Sequence, residues 1–282
     1  MKILVTGTTG QLGYDVMKAL AERRIEAIGA GRGDFDITDV QTARSFIIKH
    51  HPDAVIHCAA YTAVDKAEED EDLCRRVNVD GTVTIATVCR DIGAKMIYIS
   101  TDYVFPGTGH QFYEVDAPKG PLNLYGQSKL DGEEAVKNLL QHYFIVRTSW
   151  AFGFNGGNFV KTMLRLGRGR KEINVVCDQI GSPTYTADLA SLLCDMVVTD
   201  KYGVYHATNE GICSWAEFAK EIFRLAEYDT KINPVPSSEY PTKALRPLNS
   251  RMSKRDLDRQ RFKKLPTWQN ALKRYLVALA EL

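Results

Sequence analysis

Seven residues near the start of the chain restrict its architecture more than any other stretch. Gly7-Thr8-Thr9-Gly10-Gln11-Leu12-Gly13 follows a short strand pattern, Lys2–Thr6, and opens a helical pattern through Leu12, Val16 and Leu20. Glycine at such a turn lets the backbone bend sharply and approach a diphosphate with no Cβ in the way. The unpaired N–H groups and the positive dipole end of the following helix then face the anion. Strand, glycine turn and helix in this order predict a dinucleotide site, with Gly7, Gly10, Gln11, Leu12 and Gly13 at the diphosphate.

The rhythm established there continues through the first half. Strand-like runs at Glu26–Ala30, Ala54–Cys58, Lys95–Ile99 and Tyr143–Arg147 alternate with helical patterns at Val40–Lys49, about Cys74–Ile92 and Tyr125–Leu140. Strands that are apolar along most of their length, separated by helices, fit a parallel sheet covered on both faces. The expected fold class is α/β: a doubly wound, Rossmann-like parallel sheet with sites at the carboxyl ends of its strands. After Arg147 the pairing of strands with helices loosens. Phe152–Asn158 is rich in glycine and asparagine, and Lys231–Pro247 carries four prolines. The expected division is a dinucleotide-binding domain over 1–150 and a smaller mixed α/β substrate lobe over 151–282. Some segments of that lobe return to the first domain.

Charge narrows the partners. A formal net charge of +1 on 282 residues gives no reason to expect a nucleic acid or an acidic membrane. The six cysteines form no CxxC pair and share no ligand spacing with histidine, so neither a disulfide framework nor a zinc site is expected. The apolar run after Lys2 is only Ile3-Leu4-Val5, too short for a signal peptide, and no stretch approaches a membrane span. The expected location is the cytoplasm.

The second strand pattern ends Gly29-Ala30-Gly31-Arg32, where NAD enzymes usually carry an acid for the ribose hydroxyl. A guanidinium there suits the 2′-phosphate of NADP. NADPH is the expected cofactor, with NADH as the alternative. Asp36 and Ile37 are placed to meet the adenine, and Ala59, Ala60, Tyr61 and Thr62 to line the ribose and diphosphate.

Tyr125 and Lys129 stand at i and i+4, on one face of a helical pattern. Carbonyl reduction needs a proton on oxygen as hydride reaches carbon. A free phenol, with a pKa near ~10, is a poor donor at neutral pH. A lysine cation beside it favours phenolate and lowers that pKa, and the ammonium is also suited to holding the nicotinamide ribose. Ser100-Thr101-Asp102 closes the preceding strand pattern, and Thr101 is the better candidate to hydrogen-bond the substrate oxygen. These residues point to an NADP-dependent oxidoreductase.

Several blocks are more specific. TGTTGQLG (6–13), HCAAYTAVDKAE (57–68), STDYVFPG (100–107), PLNLYGQSK (121–129), RTSW (147–150), NFVKTML (158–164), DQIGSPT (178–184) and RPLNSRM (246–252) occur in order. Together they resemble the dTDP-4-dehydrorhamnose reductases of the extended short-chain dehydrogenase/reductase superfamily. That resemblance implies reduction of dTDP-6-deoxy-L-lyxo-4-hexulose at C4 to dTDP-L-rhamnose. It implies Tyr125 as proton donor, Lys129 as its partner, Thr101 in support, and substrate contacts from Val64, Thr101, Asp102 and Trp150. Arg246, in its proline-flanked loop, is a candidate for the nucleotide diphosphate. Some members are dimers holding Mg2+ between acids of the first helix and the later lobe, and the corresponding acids here are Asp15, Asp188 and Glu281. Monomer and homodimer both stay open.

Two other readings compete. A nucleotide-sugar epimerase or dehydratase uses the same scaffold, but a dehydratase usually has glutamate after the aspartate, where this chain has Tyr103. A non-catalytic, NADP-binding regulatory subunit would not need the intact pair of Tyr125 and Lys129.

Overall fold

The computed structural model describes residues 1–280. Strands β1 (Lys2–Thr6), β2 (Glu26–Ala30), β3 (Ala54–His57), β4 (Lys95–Thr101) and β5 (Tyr143–Thr148) form one parallel sheet. A sixth strand from the second half, Gly203–His206, pairs in parallel with β5, so the order is sixth strand, β5, β4, β3, β1, β2. β1 pairs with β2 on one side and β3 on the other, which puts a switch point at its carboxyl end.

Alternation along each strand feeds two cores. Ile3, Val5, Ile56, Ile97 and Val146 pack with Val16 and Leu20 of α1 (Gln11–Glu22) on one face. The intervening residues Leu4, Val55, Met96, Tyr98 and Ile145 pack on the other face. Their partners come from α2 (Val40–His50), from α5 (Gly81–Ile92), which follows the short helices α3 (Val64–Ala67) and α4 (Glu71–Arg75), and from α6 (Leu124–Leu139).

The first core is completed by the second half of the chain. After α7 (Phe159–Gly167), helix α8 (Thr186–Val197) lays Leu189 and Leu193 against α1. Tyr205, Leu257, Phe262 and Leu265 join the same cluster. A third cluster gathers Phe152, Val160, Phe218, Ile222, Trp268, Leu272 and Tyr275, drawn in part from α9 (Trp215–Leu225) and the helix Trp268–Ala280. Beside it, Glu172–Val176 and Lys231–Val235 pair in parallel.

Two elements differ from the sequence expectation. The helix expected over Cys74–Ile92 is interrupted by a π-turn at Arg76–Asp80, between α4 and α5. Asn78 within it accepts from the Tyr61 N–H at 2.8 Å and donates to the Tyr61 carbonyl and the Ser128 hydroxyl, which rewards the extra residue. β4 also runs two residues further than expected, pairing Ser100 with Arg147 and Thr101 with Thr148. That extension carries both hydroxyls to the carboxyl edge of the sheet.

Candidate active site

The glycine turn sits at the carboxyl end of β1 in the geometry its sequence requires. Gly7 has φ +70°, and a Cβ on it would stand 2.7 Å from the Ala59 nitrogen. A Cβ on Gly13 would stand 2.3 Å from the Gly7 carbonyl oxygen. Gly10 caps α1 with no side-chain acceptor, so the first-turn N–H groups stay available to an anion.

Two adjoining cavities of about 450 Å³ each meet at this turn, sharing Gly7, Gly10, Cys58 and Ala60. The first runs outward past Ala59, Tyr61, Arg32, Asp36 and Ile37 to an apolar wall of Leu73 and Val77. Two hydrogen bonds from Thr38, backbone and hydroxyl, hold the Asp36 carboxyl below its usual range, with Arg32 and Arg76 adding positive charge. Arg32 has no hydrogen-bond or ion-pair partner among the described residues. The second cavity runs inward over Gln11, Leu12, Gly13, Thr62 and Val64 to Thr101, Asp102, Tyr125, Lys129 and Trp150.

Tyr125 lies in the first turn of α6. Asn123 caps that helix, its side chain accepting from the Gly126 N–H at 2.8 Å. Lys129, one turn on, is 3% exposed. Its ammonium stands 4.0 Å from the centre of the Tyr98 ring, whose π face replaces part of the lost hydration. Burial lowers its pKa to about 7, opposed by the negative charge of Glu133. Burial likewise lifts the Tyr125 phenol above its ordinary value. The Thr101 hydroxyl is a neighbour that opposes the rise. Thr101 itself donates to Asp102 at 3.0 Å. Asp102 is buried and also accepts from the Ser250 hydroxyl, and burial raises its pKa to about 6.

Trp150 lines the cavity from a left-handed backbone position, φ +50°. Trp215 stacks on it at 3.7 Å between ring centres, which fixes the indole in this sparsely populated conformation. Arg246 does not line either cavity. Its guanidinium is committed to Asp65 at 2.6 Å and to the Tyr103 hydroxyl at 3.1 Å, so it is not a free cation awaiting a diphosphate.

The acids expected to hold magnesium do not fit that task. Asp15 is buried and bonded by the Thr186 hydroxyl, and burial raises its pKa. Asp188 accepts from Asn209 at 2.8 Å and from Arg274 at 2.6 Å, so an intramolecular cation already neutralises it. Glu281 lies outside the described residues. Among the described residues no group of three or more His, Cys, Asp or Glu side chains is placed to hold a metal ion. No helix among them is long and apolar enough to cross a membrane.

Sequence reasoning passed over three groups. Tyr103 packs edge-to-face on Tyr125, with ring centres 5.5 Å apart. Glu133, fully buried four residues after Lys129, accepts from Ser100 at 2.5 Å and from Arg147 at 2.8 and 2.6 Å. The i+4 spacing that exposed Lys129 could have exposed Glu133 as well. Arg76, beside Asp36, carried no signal beyond its charge.

A family model for the RmlD substrate binding domain matches residues 1–281. The chain belongs to this family. The resemblance carried by its sequence blocks is thereby borne out. It is 40% identical over 275 residues to the spore coat polysaccharide biosynthesis protein SpsK of Bacillus subtilis (strain 168), covering 98% of this chain and 96% of that protein. It is 40% identical over 283 residues to the dTDP-4-dehydrorhamnose reductase of Streptomyces griseus, covering 98% and 93%. A 2.65 Å crystal structure of dTDP-4-dehydrorhamnose reductase from Bacillus anthracis str. Ames in complex with NADP superposes with a TM-score of 0.96. That chain is 42% identical, and the match covers 98% of this chain and 99% of the other.

Proposed function

We propose that this protein uses NADPH to reduce the C4 ketone of dTDP-4-dehydro-6-deoxy-L-mannose, giving dTDP-L-rhamnose. The observation that carries the reading is the convergence of Thr101, Tyr125 and Lys129 on a cavity continuous with the glycine turn. The NADP-bound relative from Bacillus anthracis supports the cofactor, and the named reductases support the substrate.

The glycine turn and the open N-terminus of α1 suit the diphosphate. Arg32, with Arg76 nearby, suits the 2′-phosphate, while Asp36, Ile37, Leu73 and Val77 frame the adenine. Bound there, the reduced nicotinamide supplies a hydride. Tyr125 delivers a proton to the developing alkoxide at O4, and the Thr101 hydroxyl steadies that oxygen by a bond that strengthens as charge develops. Lys129 holds the ribose and stabilises the phenolate left behind. Val64, Asp102 and the Trp150 face border the sugar. In this division residues 1–150 hold the cofactor and supply most of the sugar site, and Ala151, Gly157, Thr186 and Leu189 of the later lobe complete it.

The test is direct. Purified protein given NADPH and the 4-keto sugar should consume reduced nicotinamide with one dTDP-rhamnose formed per NADPH. Tight NADPH binding without oxidation, with this sugar and related 4-keto nucleotide sugars, would remove the reductase reading and leave the regulatory-subunit reading in its place.

A further inference from the structure

The RPLNSRM block is among the sequence signatures that the cavity leaves without a task, since none of residues 246–252 lines it. Its contacts run instead to the immediate neighbours of the catalytic groups. Ser250 bonds Asp102, the residue after Thr101. The carbonyl of Leu245, just before the block, accepts from Asn123 at 2.7 Å, and Asn123 caps the helix that bears Tyr125. Arg246 bonds the Tyr103 hydroxyl at 3.1 Å and is anchored behind by Asp65 at 2.6 Å.

Tyr103 is held at both ends. Its carbonyl presses on the first turn of α6 so closely that a Cβ on Gly126 would stand 2.4 Å from that oxygen. Its hydroxyl is gripped by Arg246. Between these two fixed points its ring meets the Tyr125 ring at 77°, with centres 5.5 Å apart. An aromatic pair in this geometry resists rotation of either partner. Only the outer end of the Tyr103 ring depends on a residue remote in sequence, and that residue is Arg246.

We propose that Arg246 is a positioning residue for proton transfer: anchored by Asp65, it fixes the Tyr103 ring, and that ring fixes the direction of the Tyr125 phenol. The inference rests on the reductase reading. It assigns Arg246 no contact with the nucleotide sugar.

Four variants test it: Tyr103→Phe, which keeps the ring and removes the grip, Arg246→Met, which keeps the bulk and removes the charge, the two combined, and Arg246→Lys, which restores the charge. Wild type is assayed first with NADPH and the 4-keto sugar. Each single variant should lower kcat on the order of tenfold, since small misplacements of reacting groups are costly. In Arg246→Met the KM for the sugar and the Kd for NADPH should stay within about twofold, because Arg246 lines neither cavity. The double variant should be no slower than the worse single one, as both break the same chain of contacts. Arg246→Lys should recover part of the loss. A rise in KM exceeding the fall in kcat for Arg246→Met would make Arg246 a substrate ligand and overturn the inference. So would an unchanged kcat in Tyr103→Phe, or losses that multiply in the double variant. If wild type itself fails to turn over, the reductase reading falls and takes this inference with it; wild-type turnover with indifferent variants removes the inference alone.

Discussion

Lys129 is 3% exposed, its ammonium lies over the Tyr98 ring, and burial brings its pKa to about 7. The ammonium exists below that value and is lost as pH rises through it. If the ammonium holds the cofactor ribose, NADPH affinity in the free protein should weaken as pH climbs past about 7. A Lys129→Met variant should bind more weakly at low pH and lack that inflection; the same inflection in both proteins would assign it to another group. Tyr125→Phe keeps the packing against Tyr103 but removes the transferable proton. Its turnover should fall by ~10²–10⁴-fold with NADPH binding retained. Arg32→Ala should weaken NADPH by roughly ten- to a hundredfold and spare NADH, the expected loss for a charge-assisted hydrogen bond; equal losses would deny it the 2′-phosphate. At this scale the sequence was informative where chemistry depends on local spacing, as for Tyr125 and Lys129. It was silent where a partner lies far along the chain. Nothing around Arg246 announces Asp65, 181 residues away, so a committed guanidinium resembled a free one.

Helix α6 carries Tyr125 and Lys129, and Glu133 ties it to β4 and β5. That carboxylate and the Arg147 guanidinium are 0% and 1% exposed, tied to each other and to Ser100 at the sheet's carboxyl edge. Arg147 and Ser100 hold the Glu133 carboxyl below its usual range although burial pushes it up. Glu133→Gln would leave a buried guanidinium without its counter-charge, a change that costs about 3–5 kcal/mol. Denaturant unfolding should show that loss, and the double variant Glu133→Gln/Arg147→Met should recover part of it. A loss below about 1 kcal/mol, the range of exposed pairs, would contradict the geometry. The strands were legible as elements because each is a short apolar run between helical patterns. The π-turn at Arg76–Asp80 was not, because one inserted residue barely disturbs a 3.6-residue period. What holds the insertion is a set of hydrogen bonds from Asn78 to Tyr61 and Ser128, contacts between segments that no local pattern records.

Across the whole molecule, the cavity proposed for the sugar forms where the later chain meets the carboxyl edge of the sheet. Trp150, wedged by Trp215, presents an apolar face to that cavity. Trp150→Ala removes contacts made alike to substrate and transition state, so KM for the sugar should rise more than kcat falls. Thr101→Val should show the opposite balance. The change of rhythm after Arg147 could be read in the sequence. The return of α8 and of the strand Gly203–His206 to the first core could be read only in general terms, since periodicity fixes an element's type and not its neighbour. The proposed reduction delivers one hydride to C4 of the sugar. Incubating the protein with the 4-keto sugar and NADPH deuterated at both C4 positions of the nicotinamide gives the most direct answer. The expected result is dTDP-L-rhamnose with a single deuterium at C4 of the hexose. Product without deuterium at that carbon, or deuterium at any other sugar carbon, would contradict it.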